Sequence, residues 1–253
     1  MKTELWQRRL CRAEHLEALW PCAAAPLRFF RAITTLQRQV HQALSGVVAP
    51  QLEALLPFVA PLLSLVRREG PGPLAEEATR RQGWPEAAWA ALLAARWTGA
   101  SGDDEGSPDW LFSQALLQPY AMLITAEGAA AATGCCPRCG RPPLVSVLSE
   151  ERSSDGRVRT LLCSLCGAQW RFPRAVCPAC GQQQPGRLPR FCIEEVPWMG
   201  VEGCEDCGCY IKSVDLSREP DADPVADELG ALPLDVFAAE QGFHKLALNL
   251  AGL

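Results

Sequence analysis

Histidine, basic charge and long apolar runs are what this sequence has least of. His15, His41 and His244 are its only histidines in 253 residues. None lies inside a cysteine pair, so each reads as a surface or satisfied residue rather than a ligand or general base. Acidic residues (29) outnumber basic ones (24) for a net charge of −5, the wrong balance for binding phosphate backbones. The longest apolar stretch, Ala54–Val66, holds Pro57 and Pro61 and is well short of the roughly 20 residues of a membrane span. Lys2–Arg12 mixes charges of both signs with no apolar h-region behind it, so no secretory signal is expected. No G-x-S-x-G, P-loop or G-x-G-x-x-G sequence occurs, and nothing marks a carboxylate pair. The chain is 48% hydrophobic and 21% charged, the balance of a globular protein with a real core.

What is abundant is cysteine, with 13 residues. Only Cys11 and Cys22 lie before residue 134; the other eleven fall between Cys135 and Cys209. Eight form four C-x-x-C pairs: Cys136/Cys139, Cys163/Cys166, Cys177/Cys180 and Cys204/Cys207. A shift of 41 residues carries the first two pairs onto the last two, so the unit C-x2-C-x23-C-x2-C occurs twice. Each pair is followed by glycine: Gly140, Gly167, Gly181 and Gly208. Two thiolates converging on one ion require a tight turn, and the residue after the second cysteine then often needs a positive φ. Two such knuckles supply a tetrahedron of sulfurs, which suits zinc or a mononuclear iron.

The competing reading is disulfides or thioredoxin-type redox pairs. A thioredoxin pair opens a helix in a βαβ unit, whereas here Pro, Gly and Arg surround the pairs. Sequential pairing predicts sites at Cys136/Cys139/Cys163/Cys166 and Cys177/Cys180/Cys204/Cys207. Joining the inner pairs across their ten-residue gap is the rival. Closed four-thiolate sites leave no position for a substrate, so they read as structural or electron-transfer centres rather than Lewis acids. Cys135, Cys192 and Cys209 read as spare thiols, although Cys135 and Cys209 flank knuckles and could compete as ligands. Cys11 and Cys22 are expected as small buried apolar residues.

The rest of the chain divides by composition into an α+β, multidomain arrangement. An all-α N-terminal domain is expected over 1–133, four-cysteine β modules over 134–175 and 176–215, and an acidic helical tail over 216–253. Phe29, Ile33, Leu36, Val40 and Leu44 repeat at helical spacing, as do Trp89, Leu92, Leu93 and Trp97. Ser107-Pro108-Asp109 reads as the start of a helix running to about Ala126, with Pro119 kinking or splitting it. Gly99–Gly106 reads as an acidic loop and Ala126–Gly134 as a linker. Strands are expected at 143–148, 158–162, 168–172, 191–196 and 209–214. Trp170 and Tyr210 are expected to cap the small cores. Arg152, Arg157, Arg159, Arg171 and Arg174 read as a solvated face. The segment 134–212 has formal charge +2, and two divalent ions on eight thiolates would bring it to about −2. From residue 213 there are two basic and eight acidic residues, read as solubilising or as a docking surface for a basic partner.

These residues match a known pattern. The runs CPRCGRPP from Cys136, LLCSLCGAQWRFPRAVCPACG from Leu161 and CEDCGCYIK from Cys204 resemble the formate dehydrogenase accessory protein family, FdhE. LFSQALLQPYAMLI before them and PVADELGALPLDVFAAEQGF, Pro224–Phe243, are similar to that family too. Cys135, Cys192 and Cys209 lie outside its motifs. The resemblance implies two rubredoxin-like (zinc-ribbon) modules with iron or zinc as two mononuclear tetrathiolate ions. It implies a cytoplasmic maturation factor that catalyses no reaction and binds the formate dehydrogenase catalytic subunit, with a homodimer left open. Neither a nucleic-acid partner nor membrane insertion is expected. Two other functional classes compete with it: a rubredoxin-like electron carrier and a nucleic-acid-associated zinc-ribbon protein.

Overall fold

A computed structural model describes residues 2–100, 105–124, 134–150 and 157–252. Much of the loop expected at 99–106, the linker at 126–134 and Arg152 therefore lie outside the described residues. Six helices open the chain: α1 (Lys2–Leu19), α2 (Ala24–Leu44), α3 (Val59–Glu69), α4 (Gly72–Arg80), α5 (Glu86–Thr98) and α6 (Pro108–Ile124). Phe29, Ile33, Leu36, Val40 and Leu44 are all buried on α2, as their spacing requires. The apolar run with Pro57 and Pro61 is a 3-10 turn, Leu52–Phe58, leading into α3. The backbone N–H of Trp110 donates to Ser107 Oγ at 3.1 Å, so Ser107 caps α6. Pro119 is buried within α6, which continues through it instead of splitting.

The cysteine-rich half forms one sheet: β1 (Pro143–Glu150), β2 (Arg157–Cys163), β3 (Gln169–Arg171), β4 (Arg190–Phe191), β5 (Met199–Gly203), β6 (Cys209–Asp215) and β7 (His244–Lys245). The order is β3-β2-β1-β6-β5-β4, with β7 against β6. Each 41-residue unit contributes three strands in the same order. The units join head to tail, with β1 of the first beside β6 of the second in parallel, Val145 opposite Lys212. Where a long strand was expected at 191–196, only Arg190–Phe191 is extended. β5 was not anticipated, because its Met-Gly-Val-Glu-Gly sequence carries a weak strand pattern. β1, paired on both sides, is buried from Pro143 to Leu148, which explains its nearly unbroken apolar sequence.

Two further helices, α7 (Pro224–Gly230) and α8 (Leu232–Glu240), close the chain. Helix α7 packs on β1 and β6 and also against α1 and α2, so it binds the sheet to the helical body. One continuous apolar core runs from Leu16 through Leu116 and Val145 to Leu234. The acidic tail is neither a solubilising nor a docking surface at its key positions. Asp223, Asp227 and Glu228 are at most 2% exposed. Asp227 accepts two bonds from Arg12, at 2.9 and 2.7 Å, one from Trp198 Nε1 and one from the Asp223 backbone N–H. Asp223 caps α7 and pairs with Arg9 at 3.2 Å. A buried carboxylate is retained only where cations and donors compensate its lost hydration. Arg12→Ala therefore strands Asp227, and a loss of about 3–5 kcal/mol is expected in chemical denaturation. A loss under about 1 kcal/mol, the scale of an exposed pair, would contradict this role.

Candidate metal centre

The four knuckles share one backbone geometry, dictated locally. Gly140, Gly167, Gly181 and Gly208 all take positive φ, between 64° and 80°. In the first, third and fourth knuckles the glycine N–H donates to the carbonyl of the first cysteine at 2.9 to 3.0 Å. The N–H of each pair's first cysteine donates to the carbonyl five residues on, as Cys136 does to Arg141 and Cys204 to Cys209. Backbone N–H groups turn toward sulfur: Leu165 and Cys166 toward Cys163 at 3.3 and 3.4 Å, and Ala179 toward Cys177 at 3.4 Å.

The sulfurs gather in two groups, Cys136/Cys139/Cys163/Cys166 and Cys177/Cys180/Cys204/Cys207, all Sγ atoms within 4.8 Å of one another in each. This is the sequential grouping; the pairs flanking the ten-residue gap stay apart. Cys136–Cys166 and Cys139–Cys163 are 3.6 and 3.3 Å apart, and Cys177–Cys207 and Cys180–Cys204 are 3.8 and 3.6 Å apart. A tetrahedron of metal–sulfur bonds of about 2.3 Å has edges of about 3.8 Å, whereas a disulfide needs about 2.05 Å. Both groups therefore fit a single tetrahedral ion, and each could hold one. Without an ion the sulfurs cannot all ionise. The neighbouring thiol of Cys136 and burial push Cys139 and Cys163 up, while bonds from Cys139 and Cys163 pull Cys136 down. A cation removes that conflict by stabilising four thiolates at once.

The first group is braced by the helical body. Gln114 and Gln118 on α6 both donate to the Ser164 carbonyl, inside the second knuckle, at 3.0 and 2.8 Å. Gln37 on α2 donates to Gln118 Oε1 at 2.8 Å. Arg141 donates to the Arg96 carbonyl at the end of α5. The two groups are also close in the chain's packing: a Cβ on Gly134 would fall 1.7 Å from the Pro178 carbonyl oxygen, so only glycine lets the first knuckle approach the third. Sequence reasoning missed Gln37, Gln114 and Gln118; three buried glutamines at helical spacing on an apolar face were their signal.

The remaining cysteines are less uniform than expected. Cys11 and Cys22 are exposed, not buried, since both fall on the outer faces of their helical turns; Cys135 and Cys192 are exposed as well. Cys209 Sγ lies 3.0 Å from His244 Nε2, a contact made when β7 pairs with β6. Trp170 and Tyr210 are buried, and the Tyr210 hydroxyl donates to Asp235 at 2.7 Å. The arginine group is not a uniformly solvated face. Arg159 is 3% exposed and bonds Ser146, Glu202 and the Pro173 and Val176 carbonyls.

Comparison with known proteins agrees with this architecture. The profile of the FdhE central domain matches residues 135–174 and that of the FdhE C-terminal domain matches 192–251. A protein FdhE homolog of Aquifex aeolicus is 29% identical over 202 residues, 79% of this chain and 71% of that protein. A homolog of Stutzerimonas stutzeri is 34% identical over 116 residues, 46% of this chain but only 37% of the relative's own length. The crystal structure of the FdhE protein from Pseudomonas aeruginosa superposes with a TM-score of 0.68 at 25% identity, covering 98% of this chain and 96% of that one. These findings define a two-centre, cysteine-cluster protein with a helical body. The chain belongs to the FdhE family.

Proposed function

We propose that the chain is an accessory protein for the maturation of formate dehydrogenase, binding that enzyme's catalytic subunit in the cytoplasm and catalysing no reaction itself. The observation that carries this reading is the rigid joining of two four-sulfur clusters through one sheet, braced on a helical body, in a member of the FdhE family. Residues 1–133 and the tail over 216–253 form the body, and 134–175 and 176–215 are the metal modules. Cys136, Cys139, Cys163 and Cys166 hold one ion and Cys177, Cys180, Cys204 and Cys207 another, each iron or zinc. Four thiolates fill a tetrahedral ion's coordination, so the ions supply rigidity and leave no open position for a substrate. Among the described residues no helix is long and apolar enough to cross a membrane.

The test is affinity capture of the tagged chain from cells expressing formate dehydrogenase, with bound proteins identified by mass. Enrichment of the catalytic subunit is the expected result. Enrichment of nucleic acid or of a different oxidoreductase in its place would overturn the assignment.

A further inference from the structure

The two clusters are equivalent in spacing but not in surroundings. In the first, Cys136, Cys163 and Cys166 are buried and Cys139 is half-buried. Its knuckles are held by Gln114, Gln118 and Arg141 against the helical body. The one small cavity that touches it, about 90 Å³ beside Cys163, is walled by Leu5, Trp6 and Val225 of that body.

In the second, Cys180 is exposed and Cys207 half-buried. Its two buried members, Cys177 and Cys204, line an open cleft of about 190 Å³, larger than a cavity that admits benzene. Every sulfur of this group is thus met from solvent or from the cleft. Cys209 stands in the same cleft. Its equivalent 41 residues earlier is Ala168, so the second centre has a spare thiol that the first lacks. His244 holds that thiol from the far side.

Resting on the reading of both clusters as metal sites, we propose that the centres differ in role. The first is a closed structural staple. The second is an exchangeable centre, which releases and takes up its ion through the cleft to a polydentate acceptor with thiol or amine donors. Each step replaces one metal–sulfur bond by one bond to the entering donor, and no oxidation state changes. Cys209 offers an intermediate sulfur, so the ion need not pass through a stage with an empty coordination position.

The experiment uses the full chain with its metal bound and needs no variant. The ion content is measured first; the protein is then challenged with the chelator 4-(2-pyridylazo)resorcinol in the presence of N-ethylmaleimide. Cys11, Cys22, Cys135 and Cys192, exposed and outside both groups, label at once and set the baseline. One ion per chain is expected to leave about 10- to 100-fold faster than the other, the range over which supporting contacts alter metal affinity. Peptide mapping should show Cys177, Cys180, Cys204 and Cys207 labelled in step with that fast phase. Two ions leaving at one rate, or earlier labelling of Cys136, Cys139, Cys163 and Cys166, overturns the inference and leaves the metal sites standing. A protein that holds no ion at the outset overturns the inference together with the reading beneath it.

Discussion

Prolonged chelation will unfold the cysteine-rich half of this protein while the N-terminal helices keep most of their structure. The magnitudes require it. A structural tetrathiolate zinc contributes on the order of 10–16 kcal/mol to folding, against roughly 5–15 kcal/mol for the stability of a whole domain. The sheet has short outer strands, three residues in β3 and two in β4, and its knuckles are turns with little apolar content. Without ions, buried thiols would lie against one another with no cation to compensate their charge. The helical body has its own apolar material, including Phe30, Ile33, Leu62, Phe112 and Leu116, each no more than 2% exposed. Limited proteolysis after metal removal should therefore cut within 134–216 and spare α1–α5, with much of the helical circular dichroism retained. Identical cleavage and melting with and without ions would contradict this.

A second large effect is expected at a site that holds no metal. Glu228, Lys212, Lys245 and Asp235 form a buried ionic cluster between the tail and β6. Glu228 and Lys212 are fully buried, and their closest approach is 3.1 Å. Lys245 reaches Glu228 at 2.5 Å and Asp235 at 3.1 Å, and Lys212 reaches Asp235 at 2.6 Å. Asn249 donates to Glu228 at 2.9 Å. Glu228→Gln leaves two buried ammonium groups facing one carboxylate, and a loss of about 3–5 kcal/mol is expected in urea. Preserved stability in that variant would remove the cluster from the account.

The same cluster sets a pH dependence. Burial pushes the Asp235 carboxyl up, but Lys212 and Lys245 outweigh it and hold it below its usual value. Its contribution is complete above about pH 4, the ordinary carboxylate range, and is lost as pH falls through the lower folded value. For Lys245, burial pushes down while Glu228 and Asp235 outweigh it and push up. That contribution is complete below about pH 10 and is lost as pH rises through the higher folded value. The urea midpoints of the wild-type chain and Asp235→Asn should differ at neutral pH and converge below about pH 4. A gap that stays constant on acidification would contradict the sign.

Much of this was legible in the sequence because thiolate geometry is local. Four Gly-followed pairs at a fixed 41-residue offset specify knuckles, and helical periodicity specified α2, α5 and α6. The joining of β1 to β6 was not legible: a parallel pairing between segments some 65 residues apart leaves no periodic trace. The fate of the tail acids was hidden for a related reason. Asp227 and Glu228 look like a solvated acidic run until Arg12, more than 200 residues away, and Lys212 are placed beside them. Charge patterning reports composition, whereas burial of charge depends on long-range partners. Cys11 and Cys22 were misjudged because the usual burial of free cysteine is a statistical tendency that neither helix face respects here.

The most direct test of the two-centre account is metal content. The chain, purified anaerobically, should carry two ions of iron or zinc, measured by inductively coupled plasma mass spectrometry against amino-acid analysis. Iron would add thiolate-to-metal absorption in the visible, and zinc would leave the protein colourless. A stoichiometry of two for the wild type, falling to one when Cys136 and Cys139 are both replaced by serine, is the predicted result. One ion or none in the wild-type protein would contradict it.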